Sequence, residues 1–376
     1  KIYLKMISQK KKILILFSSD SLGGTEISLT RMAVQKSNLF EYQLATMEGT
    51  GDWSEFCIKN KLHPKVYGSI NSKLKIIGFK ITSIINLFKD IKLSKYEIVY
   101  VLGFRASILI RLLRLFTKKF KLVIGIRWNP DSKKRLDKIF RLSESILFKS
   151  VDHYICNSAK AHDTMIKINE RIKSQVSVIY NGVNLTKDIK NNSDTKNIYI
   201  IFPTNIIRSK GHIKFLDIIY EVIKKFPNIK FLMAGKDKMN GELNIKIKDK
   251  GLEKYIDILG FQKNLDKFFI KSRFMVLPTY SEGCPTSILE AFANNIPVIA
   301  YSIDGIPELI RNGVDGFLID PFNKKKFSEK IIYLLNNPDH ATKMGKKGRL
   351  KVEKLFTITK CAINHEKLFE KLLKKQ

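Results

Sequence analysis

The stretch RFMVLPTYSEGCPTSILEAFANN, residues 273–295, passes from an apolar run through a polar loop into a helix-like segment. The first seven residues lack period-two alternation and are typical of a buried strand. Pro285 suits the first turn of a helix, which we expect from Thr286 to Asn294. The loop YSEGC therefore follows the carboxyl end of a strand, which is where open parallel sheets bind ligands. The stretch predicts a doubly wound α/β domain with a ligand site in this loop.

Similar apolar runs recur on both sides of a polar stretch in the middle of the chain. In the first half they are 12–17, 97–103, 121–126, 153–158 and 176–182, and in the second half 197–205, 228–235, 255–261, 273–279 and 296–301. Continuous apolar strands separated by helices indicate parallel sheets covered on both faces. Two such series predict an α/β protein with two doubly wound, Rossmann-like domains that face each other across a cleft.

The polar stretch between the two series sets the expected domain boundaries. We predict an N-terminal domain at 1–184, a linker rich in Asn, Asp and Lys at 185–197, and a C-terminal domain at 198–357. Residues 358–376 place Ile363, Leu368 and Leu372 at helical spacing. This last segment predicts an amphipathic helix that packs back on the N-terminal domain.

The charge of the chain calls for an anionic partner. The 376 residues carry 68 Lys and Arg against 35 Asp and Glu, a formal net charge of +33. The excess is local as well, because residues 73–145 contain 18 basic and 5 acidic residues. Nucleic acid, an anionic membrane and an anionic small molecule all fit this charge, and a bias in codon usage fits it too. The four cysteines are scattered without metal-ligand spacing, which favours a reducing, cytoplasmic setting.

The segment after YSEGC combines a helix start with two carboxylates. The first amides of the helix, around Ser287 and Ile288, lack intrahelical partners and form an anion site. Glu290 lies about 6 Å further along by helix rise, within reach of a group attached to a bound phosphate. Glu282, in the loop, is placed to accept hydrogen bonds from hydroxyls. Spacing alone also fits a dipole-compensating Glu282 and a solvated Glu290.

Two further loops follow predicted strands. TNIIRSKGH, residues 204–212, places Arg208 and Lys210 beside a helix start, where two cations can clamp a diphosphate. A solvated basic loop is the alternative in so lysine-rich a chain. SSDSLGGTEISL, residues 18–29, has Gly23 and Gly24 between the first strand and a helix, and such glycines let a ligand approach the backbone. The GxGxxG dinucleotide fingerprint is absent from this loop.

Taken together, these residues resemble the retaining GT-B glycosyltransferases of family four, the glycosyl transferases group 1. SEGCPTSILEAFANNIPVIA is similar to the family's E-x7-E signature, and SIDGIPELIRNGVDGFLID to the segment that follows it. VIYNGVN, residues 178–184, resembles the junction before the linker, and SLGGTE resembles the N-terminal Gly-Gly loop. The resemblance covers nearly the whole chain and is strongest between about 197 and 320.

The resemblance implies a role for each candidate residue. Glu290 would bind the ribose of a nucleotide-sugar donor, and Glu282 would face hydroxyls of the transferred sugar. The diphosphate would be held by the loop cations and by backbone amides of the helix start. The implied catalytic set is Glu282, Arg208 and Lys210, and the implied donor set is Glu290, Gly283, Ser287, Ile288, Leu289, Asn205, Gly23 and Gly24. The family needs no metal or other cofactor, and no Asp-x-Asp pair occurs in this sequence.

Two departures from the family pattern affect the sugar side of the site. Asn205 stands where the family usually has an arginine, so that Arg208 is a candidate replacement. After KLVIGI, where the family often has a histidine, this chain reads RWNP. Arg127 and Asn129 are therefore the candidates for contacts with the sugar or the acceptor.

The resemblance and the charge together predict a function. We expect a retaining, metal-independent transferase that moves a sugar from a UDP- or GDP-type donor to a surface polysaccharide or a polyprenyl-diphosphate-linked glycan, as in O-antigen, capsule or exopolysaccharide synthesis. The N-terminal domain would bind the acceptor, and the basic amphipathic segments 72–92 and 107–123 would hold the protein on the anionic inner face of a membrane.

Other functions remain open at the level of the sequence. One alternative is a divergent, non-catalytic sugar-nucleotide binder of the same fold. Another is an epimerase, against which the E-x7-E segment argues. A nucleic-acid-binding protein is suggested by the charge alone. It is disfavoured because the basic segments alternate with aliphatic residues rather than with stacking aromatics, so that no nucleic acid is expected as a partner.

Overall fold

The computed structural model describes residues 10–68, 75–76, 78–117, 120–128, 130, 135–185 and 198–374, with the backbone alone at 75–76 and 135–137. The predicted linker, apart from its first residue, and the candidate Asn129 lie outside these residues. The chain divides into two compact units. Unit 1 consists of Lys1–Asn181 together with Ile358–Gln376, and unit 2 is Gly182–Thr357.

Unit 1 is built on a parallel sheet of seven strands in the order β3-β2-β1-β6-β7-β8-β9. A two-stranded antiparallel ribbon, β4 and β5, stands apart from it. The strands are β1 Lys11–Phe17, β2 Phe40–Thr46, β3 Lys65–Val66, β4 Lys75–Ile76, β5 Phe79–Lys80, β6 Ile98–Leu102, β7 Lys121–Ile126, β8 His153–Cys156 and β9 Val176–Val178.

Helices cover both faces of this sheet. They are α1 Gly24–Ala33, α2 Asp52–Lys59, α3 Ile81–Ser94, α4 Phe104–Arg114, α5 Arg135–Leu147, α6 Ala159–Ile168 and, from the end of the chain, α14 Ile358–Lys374. Successive residues of β1 point to opposite faces. Leu14 and Leu16 pack in a core with α3 to α6, whereas Ile13 and Ile15 pack in a core with α1, α2 and α14.

Unit 2 is built on a parallel sheet of six strands in the order β12-β11-β10-β13-β14-β15. The chain reverses its direction of progress across this sheet between β10 and β13, which is the topological switch point of a doubly wound sheet. The strands are β10 Ile198–Phe202, β11 Ile229–Ala234, β12 Ile256–Gly260, β13 Ser272–Leu277, β14 Val298–Tyr301 and β15 Gly316–Ile319.

The helices of unit 2 pack in pairs, α7 on α12 and α10 on α13. The α10–α13 contact is close because a Cβ on Gly345 would lie 1.8 Å from the Asn295 carbonyl oxygen, and one on Gly348 would lie 2.4 Å from the Phe292 ring. The helices are α7 His212–Ile223, α8 Glu242–Asp249, α9 Asp266–Lys271, α10 Thr286–Ala293, α11 Ile306–Leu309, α12 Lys324–Asn336 and α13 Pro338–Leu355.

Two parallel sheets with surrounding helices confirm the predicted α/β class. Each of the ten predicted strands overlaps a strand of the structure, but β2, β15 and the two-residue strands β3, β4 and β5 were not predicted. β2 carries Glu41 and Gln43 within an apolar context, and β15 is a four-residue edge strand, so neither shows a long apolar run. Among the described residues, the helices are all too short or too polar to span a bilayer.

Candidate functional site

The loops after β10 and β13 meet at the switch point of unit 2. The Tyr280 amide donates to the Ser209 carbonyl at 2.8 Å, and the Thr279 hydroxyl donates to the same oxygen at 3.2 Å. Gly211 has a φ of +82°, and a Cβ there would lie 2.2 Å from the Pro278 carbonyl oxygen. Only glycine fits this position, since it is both left-handed and in backbone contact. The two loops are thereby held as one surface.

An ion pair joins these loops at their surface. The Lys210 ammonium group contacts the Glu282 carboxylate and also donates to the Ser281 carbonyl at 3.2 Å. The two charged side chains are 18% and 12% exposed. The Glu282 amide donates to Asp304 Oδ2 at 3.0 Å, and Asp304 itself has a positive φ of 45°. The structure thus brings together two of the three predicted catalytic residues and fixes the Glu282 backbone from a third loop.

Helix α10 begins directly after this pair. Pro285 caps it without a side-chain hydrogen bond, and the Ile288 amide donates to the Pro285 carbonyl at 3.2 Å. In an α-helix beginning at Thr286, the Leu289 amide pairs with the Pro285 carbonyl, so that Thr286 and Ser287 carry the amides without an intrahelical acceptor. The positive end of the helix dipole adds to the charge of Lys210 in this part of the unit. The arrangement suits an anion.

The remaining residues of this stretch lie around the helix start. Glu290 is half-buried on α10, and its carbonyl accepts both the amide and the side-chain nitrogen of Asn294, at 3.2 and 2.9 Å. Gly283 is half-buried in the loop. The Ile288 and Leu289 side chains are fully buried, and both amides are directed to the Pro285 carbonyl, so that of the predicted helix-start amides only that of Ser287 is left for an anion.

Whereas Lys210 contacts the loop after β13, Arg208 and Asn205 contact residues that follow β11. Arg208 donates to Glu242 at the start of α8, at 2.7 Å, and its side chain is 77% exposed. Asn205 Oδ1 accepts the Lys236 amide at 2.9 Å, which ties the loop after β10 to the loop after β11. A Cβ on Gly235 would lie 2.1 Å from the Thr204 carbonyl oxygen, so the same two loops are also in backbone contact. Asn205 therefore shapes the loop that carries the two cations.

In unit 1, the predicted glycines begin α1. Gly23 is its N-cap, with extended backbone, and Gly24 is its first residue. The loop before them is anchored by Asp20, whose carboxylate accepts the amide and the hydroxyl of Ser54 at 3.1 and 2.7 Å. Burial raises the pKa of Asp20, and the hydrogen bonds from Ser54 oppose that shift. Sequence reasoning missed Asp20, although the run SSD after the first strand is a signal for it.

Arg127 is bound within unit 1. Its guanidinium donates to Asn181 Oδ1 at 3.0 Å and to the Tyr100 hydroxyl. The Tyr100 ring packs against His365 of α14, with ring centroids 5.9 Å apart. Burial, together with the positive charge of Arg127, lowers the pKa of His365 to about 3. Arg127, predicted to contact the sugar, thus binds two residues of its own unit, one of which packs against the last helix.

Comparison with known proteins yields two family models. The model described as Glycosyltransferase Family 4 matches residues 22–187, and the model described as Glycosyl transferases group 1 matches residues 184–351. The two matches follow one another along the chain and together include the site of unit 2.

Individual relatives agree with the family models. An uncharacterized glycosyltransferase of Methanocaldococcus jannaschii is 31% identical over 55% of this chain and 56% of its own length. The UDP-Gal:alpha-D-GlcNAc-diphosphoundecaprenol alpha-1,3-galactosyltransferase of Escherichia coli is 25% identical over 74% of this chain and 76% of its own length. The chain thus spans little more than half the length of the first of these relatives.

A solved structure shows the fold. Anabaena HepE in complex with UDP and glucose superimposes with a TM-score of 0.80 at 17% identity, covering 96% of this chain and 99% of that one. The fold, the order of the two matched family segments and the relatives lead to one assignment. The chain belongs to the group 1 glycosyltransferases of family four and has their GT-B fold.

Proposed function

We propose that this protein transfers a sugar, with retention of configuration, from a nucleotide-diphosphate-sugar to a glycan acceptor. The observation that carries the proposal is the Lys210–Glu282 pair beside the N-terminus of α10, at the switch point of the unit 2 sheet. A cation, free helix amides and a carboxylate in one place match a ligand that has both phosphates and hydroxyls.

The diphosphate of the donor is assigned to the start of α10. The amides of Thr286 and Ser287 donate to it, and Lys210 supplies positive charge from the loop after β10. Arg208 lies two residues before Lys210 in the same 3₁₀ turn, and it reaches the diphosphate by giving up its exposed contact with Glu242. Such an exchange costs little because exposed ion pairs contribute about 0–1 kcal/mol.

The two carboxylates are assigned to hydroxyl groups on either side of that diphosphate. Glu290, about one turn into α10, accepts from the ribose diol of the nucleotide. Glu282 accepts from hydroxyls of the sugar, and Lys210 holds its carboxylate in place. Neither carboxylate is assigned as an acid or a base, because both are committed to binding.

The reaction then needs no protein nucleophile. The bond between the anomeric carbon and the diphosphate oxygen breaks, and the leaving diphosphate takes the electron pair. Lys210 and the helix amides stabilise the charge that develops on it. The acceptor hydroxyl attacks from the same face and passes its proton to the departing phosphate, which retains the configuration.

The acceptor is assigned to the class of lipid-linked or polymeric glycans, and its recognition to unit 1. The name of the E. coli relative describes transfer to a GlcNAc carried on diphosphoundecaprenol. A lipid-linked acceptor requires the enzyme at a membrane surface, so we place this protein on the anionic cytoplasmic face as a peripheral protein. Its charge of +33 supports that placement.

Calorimetry with UDP and GDP, combined with turnover of a panel of nucleotide-sugars, tests the proposal. Glu290→Ala is expected to weaken nucleotide binding about tenfold or more, since hydrogen bonds to a charged group contribute about 1.5–3 kcal/mol. Glu282→Ala is expected to slow transfer more than it weakens nucleotide binding, because its partner is the sugar.

Glu329→Ala is the matched control, as Glu329 is an exposed carboxylate on α12 of the same unit. It should leave affinity and turnover unchanged. Nucleotide binding without turnover of any donor would identify a non-catalytic sugar-nucleotide binder. Absence of nucleotide binding, with unchanged behaviour of both glutamate variants, would refute the site.

A further inference from the structure

Helices α4 and α5 of unit 1 run side by side in the same direction. The ring of Phe104, the first residue of α4, contacts the ring of Phe140, near the middle of α5, with centroids 5.8 Å apart. Further along, Arg111 of α4 and Glu144 of α5 form an ion pair. Beyond the helix ends, Arg114 donates to the Ser150 carbonyl. These contacts join α4, at its start and near its end, to the middle and second half of α5 and the turn after it.

These two helices bury charge and expose aliphatic side chains, the reverse of an ordinary surface helix. The Arg111 and Glu144 side chains are 0% exposed. On α5 three of the five exposed side chains that the structure describes are apolar and recur at helical spacing, and the other two are Lys138 and Ser145. At the end of α4 and just beyond it the exposed residues are apolar too. We call this surface the α4–α5 ridge, and its side chains, whose exposure lies between 40% and 78%, are Leu112, Leu115, Phe116, Ile139, Leu142 and Ile146.

The ridge differs from the surface that the sequence suggested. Segments 72–92 and 107–123 are predicted to bind the membrane as basic amphipathic segments, yet Arg111 is buried and Arg114 is paired with Asp152 at 2.6 Å. Helix α5, which those segments do not include, supplies half of the ridge. Large exposed apolar patches on soluble proteins mark surfaces that another body covers.

Charge indicates what covers the ridge. Residues 104–150 contain thirteen lysines and arginines and three acidic residues, and the buried Arg111–Glu144 pair takes one of each from the surface. Lys138 and Lys149 are exposed at the ridge helices. A second copy of this chain would bring like charges together, which disfavours self-association. Five of the six ridge side chains are aliphatic, which disfavours nucleic acid because bases stack on aromatic side chains.

We propose that the α4–α5 ridge is the surface by which this protein docks on an anionic lipid bilayer. Its aliphatic side chains enter the boundary between headgroups and acyl chains, and the surrounding cations face anionic headgroups. The inference rests on the proposed function, in that a lipid-linked acceptor requires the enzyme at a membrane. It adds the part of the molecule that makes the contact.

Vesicle flotation tests the proposal with the full chain. The probes are vesicles of phosphatidylcholine alone and of phosphatidylcholine with phosphatidylglycerol, at low and at high salt. The wild type is expected to bind the anionic vesicles at least about tenfold more tightly, with part of that preference lost at high salt. Absence of binding to anionic vesicles would overturn the proposal.

Two triple variants separate the ridge from general surface effects. Leu115→Gln/Leu142→Gln/Ile146→Gln removes side chains that are 62–66% exposed, and it should weaken binding about tenfold or more. Ile58→Gln/Ile245→Gln/Leu350→Gln removes side chains that are 60–64% exposed on α2, α8 and α13, and it should bind like the wild type. An equal loss in the control would overturn the assignment of the ridge.

A charge variant tests the choice of lipid. Lys138→Gln/Lys149→Gln should reduce the preference for anionic vesicles and leave binding to neutral vesicles unchanged. Sedimentation of the wild type and of the triple ridge variant tests the alternative that a second copy of this chain covers the ridge. A wild-type dimer that the ridge variant converts to a monomer would assign the ridge to self-association and overturn the proposal.

Failure of this inference differs from failure of the proposed function. The ridge variant should bind UDP or GDP and hydrolyse the donor like the wild type, because its substitutions lie in unit 1, outside the candidate donor site of unit 2. Intact nucleotide chemistry without flotation refutes the ridge alone. Flotation that depends on the ridge, in a protein that binds no nucleotide, refutes the proposed function.

Discussion

Two of the carboxylate–cation pairs of this protein are alike in chemistry and different in setting. In unit 2, Lys210 and Glu282 join two loops at the carboxyl ends of β10 and β13, and both side chains keep some exposure. In unit 1, Arg111 and Glu144 join α4 and α5, and neither side chain is exposed. The Glu144 carboxylate also accepts the Tyr154 hydroxyl at 2.5 Å.

The difference lies in what else each pair can contact. The Arg111–Glu144 pair is enclosed by its own unit, so it can act only on stability. The Lys210–Glu282 pair lies beside a helix start and between loops, so each partner can also bind a ligand. Removing one partner should therefore cost stability in unit 1 and catalysis in unit 2.

The largest effect is expected from Arg111→Met. This change leaves the Glu144 carboxylate buried without its cation, and the free energy of unfolding of unit 1 should fall by about 3–5 kcal/mol. Fluorescence-detected denaturation reports on unit 1, because the two tryptophans of the chain, Trp53 and Trp128, both lie there. The double variant Arg111→Met/Glu144→Gln removes both charges and should recover most of the loss. A double variant as unstable as the single one would contradict the charge argument.

Lys210→Met should give the next largest effect, on catalysis. Loss of one group that stabilises the departing charge costs about 10²- to 10³-fold in turnover, or about 3–4 kcal/mol of barrier. In contrast to the unit 1 pair, the double variant Lys210→Met/Glu282→Gln should recover no activity. Lys214→Met is the control, since Lys214 is an exposed lysine on α7 that packs over the Tyr280 ring. Recovery of activity in the double variant would mean that Lys210, like Arg111, serves mainly to neutralise its partner carboxylate.

Each unit also contains a buried histidine that predicts a pH dependence. Burial lowers the pKa of His365 in unit 1 and of His212 in unit 2 to about 3, from an ordinary 6.5. The unfolded chain therefore binds protons below pH 6.5 that the folded chain does not, and stability falls as the pH drops from 6.5 towards 3. Between pH 7.5 and 5 the expected loss is about 2 kcal/mol for each histidine.

Single substitutions assign this pH dependence to a unit. His365→Gln should flatten the slope measured by tryptophan fluorescence, and His212→Gln should leave that slope unchanged. Circular dichroism, which reports on both units, should detect a flatter slope in either variant. An unchanged fluorescence slope in His365→Gln would mean that His365 is not the group that titrates.

The smallest effect is expected from the exposed pair of unit 2. Arg208→Ala and Glu242→Ala should each change stability by about 0–1 kcal/mol, because the Arg208 side chain is largely exposed. If Arg208 binds the diphosphate, only Arg208→Ala should weaken UDP or GDP binding in calorimetry. Glu242→Ala should leave the affinity unchanged or raise it slightly, since it frees the arginine. Equal losses in both variants would assign Arg208 a structural role.

The sequence predicted those features that depend on short segments. Ten strands could be predicted because a strand buried on both faces is apolar along its length, whereas β2, β15 and the two-residue strands β3, β4 and β5 lack such a run. The loop that carries Lys210, the loop that carries Glu282 and the start of α10 were all expected where the structure has them. Their positions follow directly from the ends of β10 and β13.

The hydrogen-bond and ion-pair partners of the polar side chains could not be predicted in the same way. Arg111 was expected at a membrane-facing surface, and the structure buries it against Glu144. Asn205 was expected at the donor, and its side chain accepts the Lys236 amide. In both cases the partner lies more than thirty residues away in the chain, at separations of 33 and 31. A local sequence pattern does not specify which distant residue will contact a given side chain.

The sequence by itself therefore determined the α/β class, the order of strand, loop and helix around residues 273–295, and the resemblance to the family. These follow from periodicity and local backbone chemistry, which act over a few residues. Tertiary structure alone decided that α5 buries Glu144 and exposes Ile139, Leu142 and Ile146. The physical reason is that a charge can be buried only where an opposite charge from another segment compensates for its desolvation. The two segments come into contact only in the folded unit.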